Sequence, residues 1–403
     1  METKKRILSL LLASALLAAP LTACDMADDE IDSTEETTEE TTEETTEETT
    51  EETTTENISL PKETVYVTKD GLEYTSNGDN TCSVSGMKSE IPREDVNLIV
   101  NIPTYSPDGA LVTGIAYMAF ADVFNMVEVI IPDSVTQIGE MAFMGCTRLS
   151  NVVFPKNITA IDDSAFYSCG ALKAVVLPNG LTKIGETAFG HCINLESVTL
   201  PQTLTDLGRA AFQRCHALQN LIIENNPIYC VRENTLIETT TQTLLLAWQN
   251  FSIPNDGSVK KIGECAFSAC RNLTELILPE SITELDRLAL AFCGELKEVT
   301  LSKNITKIGY GALMFCENLI SISIPNGVEE LPWNLFSMCY NLKTVYIPNS
   351  IKKINSSAFP TSVDFPSGLP LEIHYEGTHS QWDTLFRGVG GLNCATIICI
   401  NEN

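Results

Sequence analysis

The chain has 403 residues, of which 44% are hydrophobic and 19% charged, so it is long enough to bury a substantial core. Its formal net charge is −28, and sixteen acidic residues without a single basic one stand between positions 25 and 56. Nucleic acid binding needs Lys and Arg to neutralise phosphates, so this charge argues against a nucleic acid partner. It also disfavours attraction to anionic lipid.

The first 23 residues have the organisation of an export signal, METKKRILSLLLASALLAAPLTA, with a basic start, an apolar stretch and small residues at the end. The apolar stretch is too short for a stable membrane-spanning helix. Leu21-Thr22-Ala23-Cys24 then resembles the bacterial lipobox, in which the peptidase cuts before a Cys that carries lipid. We therefore predict a lipoprotein signal peptide over 1–23 and lipidation of Cys24; an ordinary secretory signal is the alternative. We expect the chain to be attached to a membrane through this lipid anchor only.

Residues 24–56 form a linker rich in Thr and Glu, with repeated TEET units and no aromatic residue. Such a segment cannot bury enough apolar surface to offset its conformational entropy, so we expect it to be disordered. Charge repulsion extends a chain of this kind. The linker is therefore predicted to hold the rest of the protein away from the bacterial envelope.

A 23-residue repeat fills most of the remaining chain. The unit KIGETAFGHCINLESVTLP at 183–201 shows its parts: an apolar slot, Gly, Ala-Phe, Cys and an alternating segment that ends at Pro. The Cys column contains Cys146, Cys169, Cys192, Cys215, Cys270, Cys293, Cys316 and Cys339. A longer interval separates the fourth Cys from the fifth and indicates an insertion between two blocks of repeats.

Each unit is predicted to form one coil of a solenoid, because no unit can bury its apolar face alone. The alternation in Leu195–Pro201 is typical of a short strand with one buried face, and the Pro ends that strand. The preceding stretch is predicted to bend at Gly185 and to continue as a helical turn whose Ala, Phe and Cys point inward. We therefore predict an α/β repeat solenoid, a right-handed coil with a parallel sheet on one face and short helical turns, preceded by the disordered linker.

The adjacent His191 and Cys192 raise the question of a nucleophile with its base, or half of a zinc site. The repeat favours another interpretation, because Cys192 is one member of the Cys column and free Cys behaves as a small buried hydrophobe. The slot of His191 holds Gly, Ser, Arg, Ala, Phe and Met in other units, which is no ligand set. The sequence thus predicts no catalytic residue, no metal ligand and no cofactor.

Five cysteines lie outside the column, and for them disulfide formation stays open. They are Cys82, Cys230, Cys265, Cys394 and Cys399. Cys394 and Cys399 stand close together near the carboxyl end of the chain and are candidates to pair with each other. The column itself is predicted to stay reduced, since bonding between stacked coils would distort them.

The pattern I-G-x-x-A-F-x-x-C-x-x-L-x-x-V-x-I-P resembles the BspA-like leucine-rich repeats of bacterial surface proteins over roughly residues 66–385. Asp162, Asp286, Leu290, Leu313 and Ser302 depart from the pattern, which puts the uniformity of the coils in doubt. The resulting domains are the N-terminal cap and opening coil (57–110), the first repeat block (111–223), an expanded coil with a hairpin-like insertion (224–255), the second repeat block (256–364) and the C-terminal cap (365–403).

Proteins of this family are described as adhesins or receptors, so the resemblance implies binding of a host or neighbouring-cell protein or glycoprotein. A scaffold for the cell's own envelope components is the alternative. An enzyme is disfavoured, because the chain has no G-x-S-x-G, H-E-x-x-H, P-loop or dinucleotide-binding motif. Neither the spacing nor the resemblance identifies the ligand.

The alternation within the strands places one column of residues on the outer surface of the sheet. This column, the candidate ligand-binding surface, contains Ile130, Val153, Val176, Thr199, Ile222, Ile277, Thr300, Ser323 and Tyr346. A neighbouring outward column is mainly polar. An apolar stripe with polar edges is typical of interaction surfaces, although β-branched residues also favour strands in the absence of any ligand.

Overall fold

The computed structural model describes residues 65–67, 71–87, 97–267, 270–360, 371–386 and 395–401, and for 65–67 the backbone alone. The predicted signal peptide, Cys24 and the acidic linker lie outside these residues, as does Cys394. All described residues belong to one compact unit, Asn57–Asn403. Within that unit, strands are numbered β1 to β28 in chain order.

One strand of each coil contributes to a parallel array, called here the sheet face. Its strands are β4 (Leu98–Asn101), β6 (Met126–Ile130), β8 (Asn151–Val153), β10 (Ala174–Val176), β12 (Ser197–Leu200), β14 (Asn220–Ile223), β19 (Glu275–Ile277), β21 (Glu298–Thr300), β23 (Ser321–Ser323), β25 (Thr344–Ile347), β27 (Leu371–Tyr375) and β28 (Ala395–Cys399). Hydrogen bonds join them in three groups, β4–β6–β8, β10–β12–β14 and β19 to β28. Within the repeat blocks, neighbours pair at the 23-residue interval, as Val175 does with Val198. The pairs that involve the end strands β4, β27 and β28 have longer intervals.

A second parallel ladder, called the short ladder, runs along the coils at the apolar slot and was not foreseen. It begins at a cap formed by antiparallel β1 (Val65–Val67), β2 (Leu72–Ser76) and β3 (Thr81–Met87). Its other strands form three hydrogen-bonded groups. The first, which joins the cap, contains β5 (Leu111–Ile115), β7 (Gln137–Ile138), β9 (Ala160–Ile161), β11 (Lys183–Ile184) and β13 (Asp206–Leu207); the second contains β18 (Lys261–Ile262), β20 (Glu284–Leu285) and β22 (Lys307–Ile308); the third contains β24 (Glu330–Leu331) and β26 (Lys353–Ile354). Each coil therefore bonds to its neighbours along more than one line.

The predicted short helical turns are wrong. In the turn segment of one coil, the N–H groups of Thr187, Phe189 and His191 donate to carbonyls of the following coil at 2.8 to 3.1 Å. Only the intervening Ala188 and Gly190 donate three residues back within their own coil. Thr187 and His191 have left-handed φ of 51° and 62°, which no α-helix of L-residues accommodates. The segment is therefore a series of turns that is hydrogen-bonded to the next coil. The helix that the described residues contain is α1 (His379–Leu385).

The segment between the blocks folds as an antiparallel meander of β15 (Tyr229–Arg232), β16 (Thr235–Glu238) and β17 (Thr243–Ala247). β17 then pairs in parallel with β18 and so starts the short ladder of the second block. At the carboxyl end, Thr378 and Gln381 form a capping box for α1. Trp382 of that helix is buried against Tyr375 and Phe386, which covers the last coils.

The core lies inside the coils and consists of stacked copies of the same slots. Ala188, Phe189 and Cys192 are all buried, as the repeat predicts. The coils approach so closely at the Gly slot that a Cβ on Gly185 would contact backbone atoms of Asp162 and Asp163. Backbone contact of this kind is the reason for glycine at that position. Two clusters of buried residues meet at the insertion, where Leu236 belongs to the first and Ile237 to the second.

Candidate functional site: the sheet face

The His191–Cys192 pair has partners that differ from those of a catalytic dyad. The Cys192 thiol is buried and donates to the carbonyl of Phe166 at 3.3 Å. Burial raises its pKa well above the usual value, which holds it as a thiol. The His191 ring instead stacks on Tyr167, with centroids 5.9 Å apart, and its Nδ1 lies 3.5 Å from Ser168 Oγ. Burial lowers the pKa of His191, so its ring is neutral at physiological pH.

The same thiol hydrogen bond recurs in all eight coils of the Cys column. Each thiol donates to a backbone carbonyl of the preceding coil, at 3.0 to 3.8 Å. In most coils the acceptor belongs to the Phe slot, so each column Cys contributes a hydrogen bond as well as apolar volume. Burial raises the pKa of Cys146, Cys215 and Cys270 to about 12. These groups are therefore poor nucleophiles at neutral pH.

Another Cys–His contact lies at the carboxyl end. Cys399 Sγ is 3.0 Å from His379 Nδ1, at the start of α1. Sequence reasoning assigned Cys399 to a possible pair with Cys394, which lies outside the described residues. No group of three or more potential metal ligands exists among the described residues. None of the described helices is long and apolar enough to cross a membrane.

The candidate column faces outward on the sheet face. Val176 is 69% exposed and Ile277 75% exposed, whereas their neighbours Val175 and Leu276 are buried. Val153, Ile222 and Tyr346 are also exposed apolar side chains, and Thr300 and Ser323 are exposed. Ile130 and Thr199 are half-buried. The alternating pattern therefore predicts direction correctly, and the structure aligns these side chains across successive strands.

A shallow depression of about 440 Å³ lies on the sheet face of the second block. Thr300, Ser323 and Tyr346 of the candidate column line it, together with Glu298 and Lys303. β21 and β23 share a single residue pair here, Glu298 with Ser321, whereas β23 and β25 share three. Ser302 stands in place of the Pro that closes most units, and the strands separate just before it. The depression is absent from the sequence pattern because it depends on this local loss of pairing.

The comparisons with known proteins agree with this architecture. Residues 113–236 and 245–365 match the family described as BspA type leucine rich repeat region (6 copies). This match confirms the resemblance noted from the repeat. No curated protein matches the chain.

Three solved structures share the fold. A leucine-rich cell surface protein from Faecalibacterium prausnitzii is 24% identical, with a TM-score of 0.56 over 80% of this chain and 97% of that one. The pneumococcal vaccine antigen PcpA is 18% identical, with a TM-score of 0.58 over 85% of this chain and 100% of that one. A leucine-rich repeat protein from Eubacterium ventriosum is 20% identical, with a TM-score of 0.55 over 75% and 83%.

Proposed function

Because the chain belongs to the family of BspA-type leucine-rich repeats, we propose that it is a lipid-anchored bacterial surface protein that binds a protein or glycoprotein partner on its sheet face. The observation that supports this role is the outward apolar column. Val153 and Val176 stand exposed on successive coils and Ile222 two coils further on, beyond the half-buried Thr199. Solvent would normally select polar side chains at such positions. At about 4.8 Å per coil, the first five members of the column form a stripe about 20 Å long.

The surroundings of the stripe suit a protein partner. Asn151 and Asn220, exposed polar members of the neighbouring column, edge it, with the small Ala174 between them. An apolar centre with a polar rim is the usual organisation of a protein–protein interface. Burial of the stripe against a partner supplies affinity, and hydrogen bonds from the rim supply register.

The anchor is proposed from the lipobox, since Cys24 lies outside the described residues. The relative from Faecalibacterium prausnitzii is described as a cell surface protein, which supports a similar location for this chain. Metabolic labelling with an alkynyl fatty acid tests the anchor: the wild type takes up label and Cys24→Ala does not. Equal labelling of both would exclude lipidation at Cys24.

The binding surface is tested by placing two charges on it. In the double variant Val153→Glu with Val176→Glu, partner binding would have to desolvate two carboxylates in the proposed interface. We therefore expect affinity for a captured partner to fall at least about tenfold. Both side chains already face solvent, so the unfolding midpoint changes little. Tyr117→Glu with Ile193→Glu is the matched control, because it adds the same charge at exposed apolar sites off the sheet face.

The partner is first sought by parallel pull-downs from host extract and from the bacterium's own envelope. Capture from host extract supports adhesion; capture from the envelope alone supports the scaffold alternative. In either case, binding that survives the double Glu change would show that the sheet face is not the site.

A further inference from the structure

A second concavity, called the cleft, lies where the insertion meets the two blocks. Its volume is about 630 Å³, within the range of small-molecule sites. Residues between 212 and 218, the loop 246–253 and residues between 270 and 277 line it. β14 and β19, the neighbouring edge strands of two separate groups of the sheet face, are not bonded to each other. The cleft thus occupies an interruption of the solenoid.

Arg214 is the unusual residue of the cleft. Its Nε is buried and has no hydrogen-bond partner within the described part of the chain. The guanidinium carbon lies 4.3 Å from the centroid of the Phe292 ring, which supports one face of the cation. Burial lowers the pKa of Arg214, which shows that its surroundings disfavour the charge. No carboxylate among the described residues lies within ion-pair distance of it, and such a charge is costly without a counterion.

A second arginine, Arg271, stands in the same cleft and also lacks an ion pair among the described residues. The positive charge of Arg271 repels that of Arg214, and it adds to the effect of burial in lowering the pKa of Arg214 and of His191. Elsewhere in the chain Arg209, Arg232 and Arg287 are all paired with carboxylates. Exposed Arg148 also has no carboxylate partner in the described part of the chain but binds the Asn97 side chain. Among the described residues, Arg214 and Arg271 thus form a pair of neighbouring guanidiniums without a counterion, in a protein with 53 acidic and 25 basic residues. Glu275, at the edge of the cleft, forms an ion pair with neither of them.

Neutral hydrogen-bonding groups and aromatic rings supply the rest of the lining. The side chains of Gln249, Asn250 and Asn272 are exposed at the cleft, and each carries a carboxamide that both donates and accepts. The loop that holds Gln249 and Asn250 is fixed by Trp248, whose Nε1–H donates to the Gln219 carbonyl at 3.2 Å. Half-buried Phe251 packs on Phe267 and offers apolar surface to the interior.

We propose that the cleft binds an acidic sugar residue, such as a uronic acid, of a glycan. The carboxylate pairs with Arg214 and Arg271, which supply the planar donors that carboxylates accept. The carboxamides bind hydroxyl groups, and the aromatic wall packs against the ring. A sugar fits the neutral carboxamide rim better than an acidic peptide does, because its hydroxyl groups can bind the carboxamides. The residues that flank an acidic side chain in a peptide would find no apolar pocket on that rim. The cleft includes Ile277 of the candidate column but none of the five residues of the stripe, so this site does not depend on the stripe.

The test measures binding of defined probes to the full chain by calorimetry. Trigalacturonate and a glucuronate-containing tetrasaccharide are the acidic probes; the methyl ester of trigalacturonate keeps the shape and removes the charge. We expect an acidic sugar to bind, its affinity to fall with added NaCl, and the ester to bind at least about tenfold more weakly. The peptide Glu-Glu-Glu is the competing class of ligand.

Variants locate the binding. Arg271→Gln removes an exposed cation, so folding is retained, and affinity for the acidic sugar falls about tenfold or more. Arg148→Gln, an exposed arginine of the first block, is the matched control and leaves affinity unchanged. The proposal is overturned if neither acidic sugar binds, if the ester or the peptide binds as tightly as they do, or if Arg271→Gln has no effect.

Discussion

The two repeat blocks share a backbone but fill their cores differently. In the first block one stack of rings runs through five coils, with neighbouring centroids 5.1 to 5.6 Å apart and planes within 8° of parallel. Its members are Phe120, Phe143, Phe166, Phe189 and Phe212. In the second block this stack is interrupted, because Leu290 and Leu313 occupy the same slot and are equally buried.

The second block moves its aromatic rings outward by two positions. Phe292 and Phe315 stack at 4.8 Å in the slot just before the column Cys, where both side chains are half-buried. In the first block that slot holds His191 and Arg214, and it is Phe292 that supports the Arg214 guanidinium. In the second block, Leu thus replaces Phe in the core, and the Phe rings at the slot before the column Cys support the cleft.

The backbone hydrogen bonds between coils are the same whether Phe or Leu occupies the core slot. Phe166 N–H donates to the Ala188 carbonyl at 2.7 Å, and Leu290 N–H donates to the Ala312 carbonyl at 2.9 Å. The frame is therefore set by hydrogen bonds between coils, and the side chains need only fill the space between them. This separation explains how one repeat tolerates varied cores without losing register.

The largest expected effect comes from breaking the continuous stack. Phe166→Ala removes a fully buried ring with a stacked neighbour on each side, so we expect the free energy of unfolding to fall by about 3–5 kcal/mol. Chemical denaturation monitored by circular dichroism measures the change. Phe124→Ala, at a side chain that is 53% exposed, is the control and costs far less. Equal losses at the two sites would contradict the importance of the stack.

A smaller effect tests the shared frame within the second block. A Cβ on Gly309 would lie 2.5 Å from the backbone N of Arg287 in the preceding coil, whereas one on Gly294 would meet nothing within 4 Å. Gly309→Ala should therefore destabilise by about 1–3 kcal/mol through overpacking. Gly294→Ala is the matched control and should be nearly neutral. If both behave alike in thermal melts, the close approach of the coils is not what requires glycine.

The smallest effect at neutral pH is a pH dependence that the blocks should share, because it appears only in alkaline solution. Burial raises the pKa of Cys215 from 9.0 to about 12, so the unfolded thiol ionises first as pH rises. The stability that this group contributes is complete below pH 9 and is lost as pH rises towards 12. One thiol contributes a slope of about 1.4 kcal/mol per pH unit within that window.

Urea titrations at several pH values between 9 and 12 measure this slope. Cys215→Ala should make the decline of unfolding free energy shallower by one proton, and Cys270→Ala in the second block should do the same. A difference between variant and wild type isolates the thiol from the other groups that titrate there. Parallel curves for wild type and both variants would contradict the raised pKa.

Sequence periodicity predicted the coil, the buried slots and the outward direction of the column, because those features follow from spacing alone. It did not predict the turn segment, since left-handed residues such as Thr187 and His191 share no residue type with their counterparts in other coils. The thiol hydrogen bonds were missed for a related reason: a buried Cys has the same sequence signature whether or not its sulfur donates.

The cleft was beyond sequence reasoning, because residues 212–218 are separated from the other two stretches that line it by intervals that are not multiples of the repeat. In the sequence, Arg214 is one more variable residue in its slot, and nothing in the repeat distinguishes Arg271. Only the path of the insertion, fixed by contacts such as Trp248 with Gln219, makes them neighbours. A site formed by an irregular segment cannot be predicted from a periodic pattern of residues.

The hydrogen bonds between coils have a consequence for how such a chain changes length during evolution. Lys183 pairs with Ala160 on one side and Asp206 on the other, always 23 positions away. Deletion or duplication of one whole unit would re-form every such pair with the next equivalent residue, whereas another length needs a segment such as the insertion to restore the pairing, as β17 does for β18. We therefore expect the length of the solenoid to change most readily in steps of one unit.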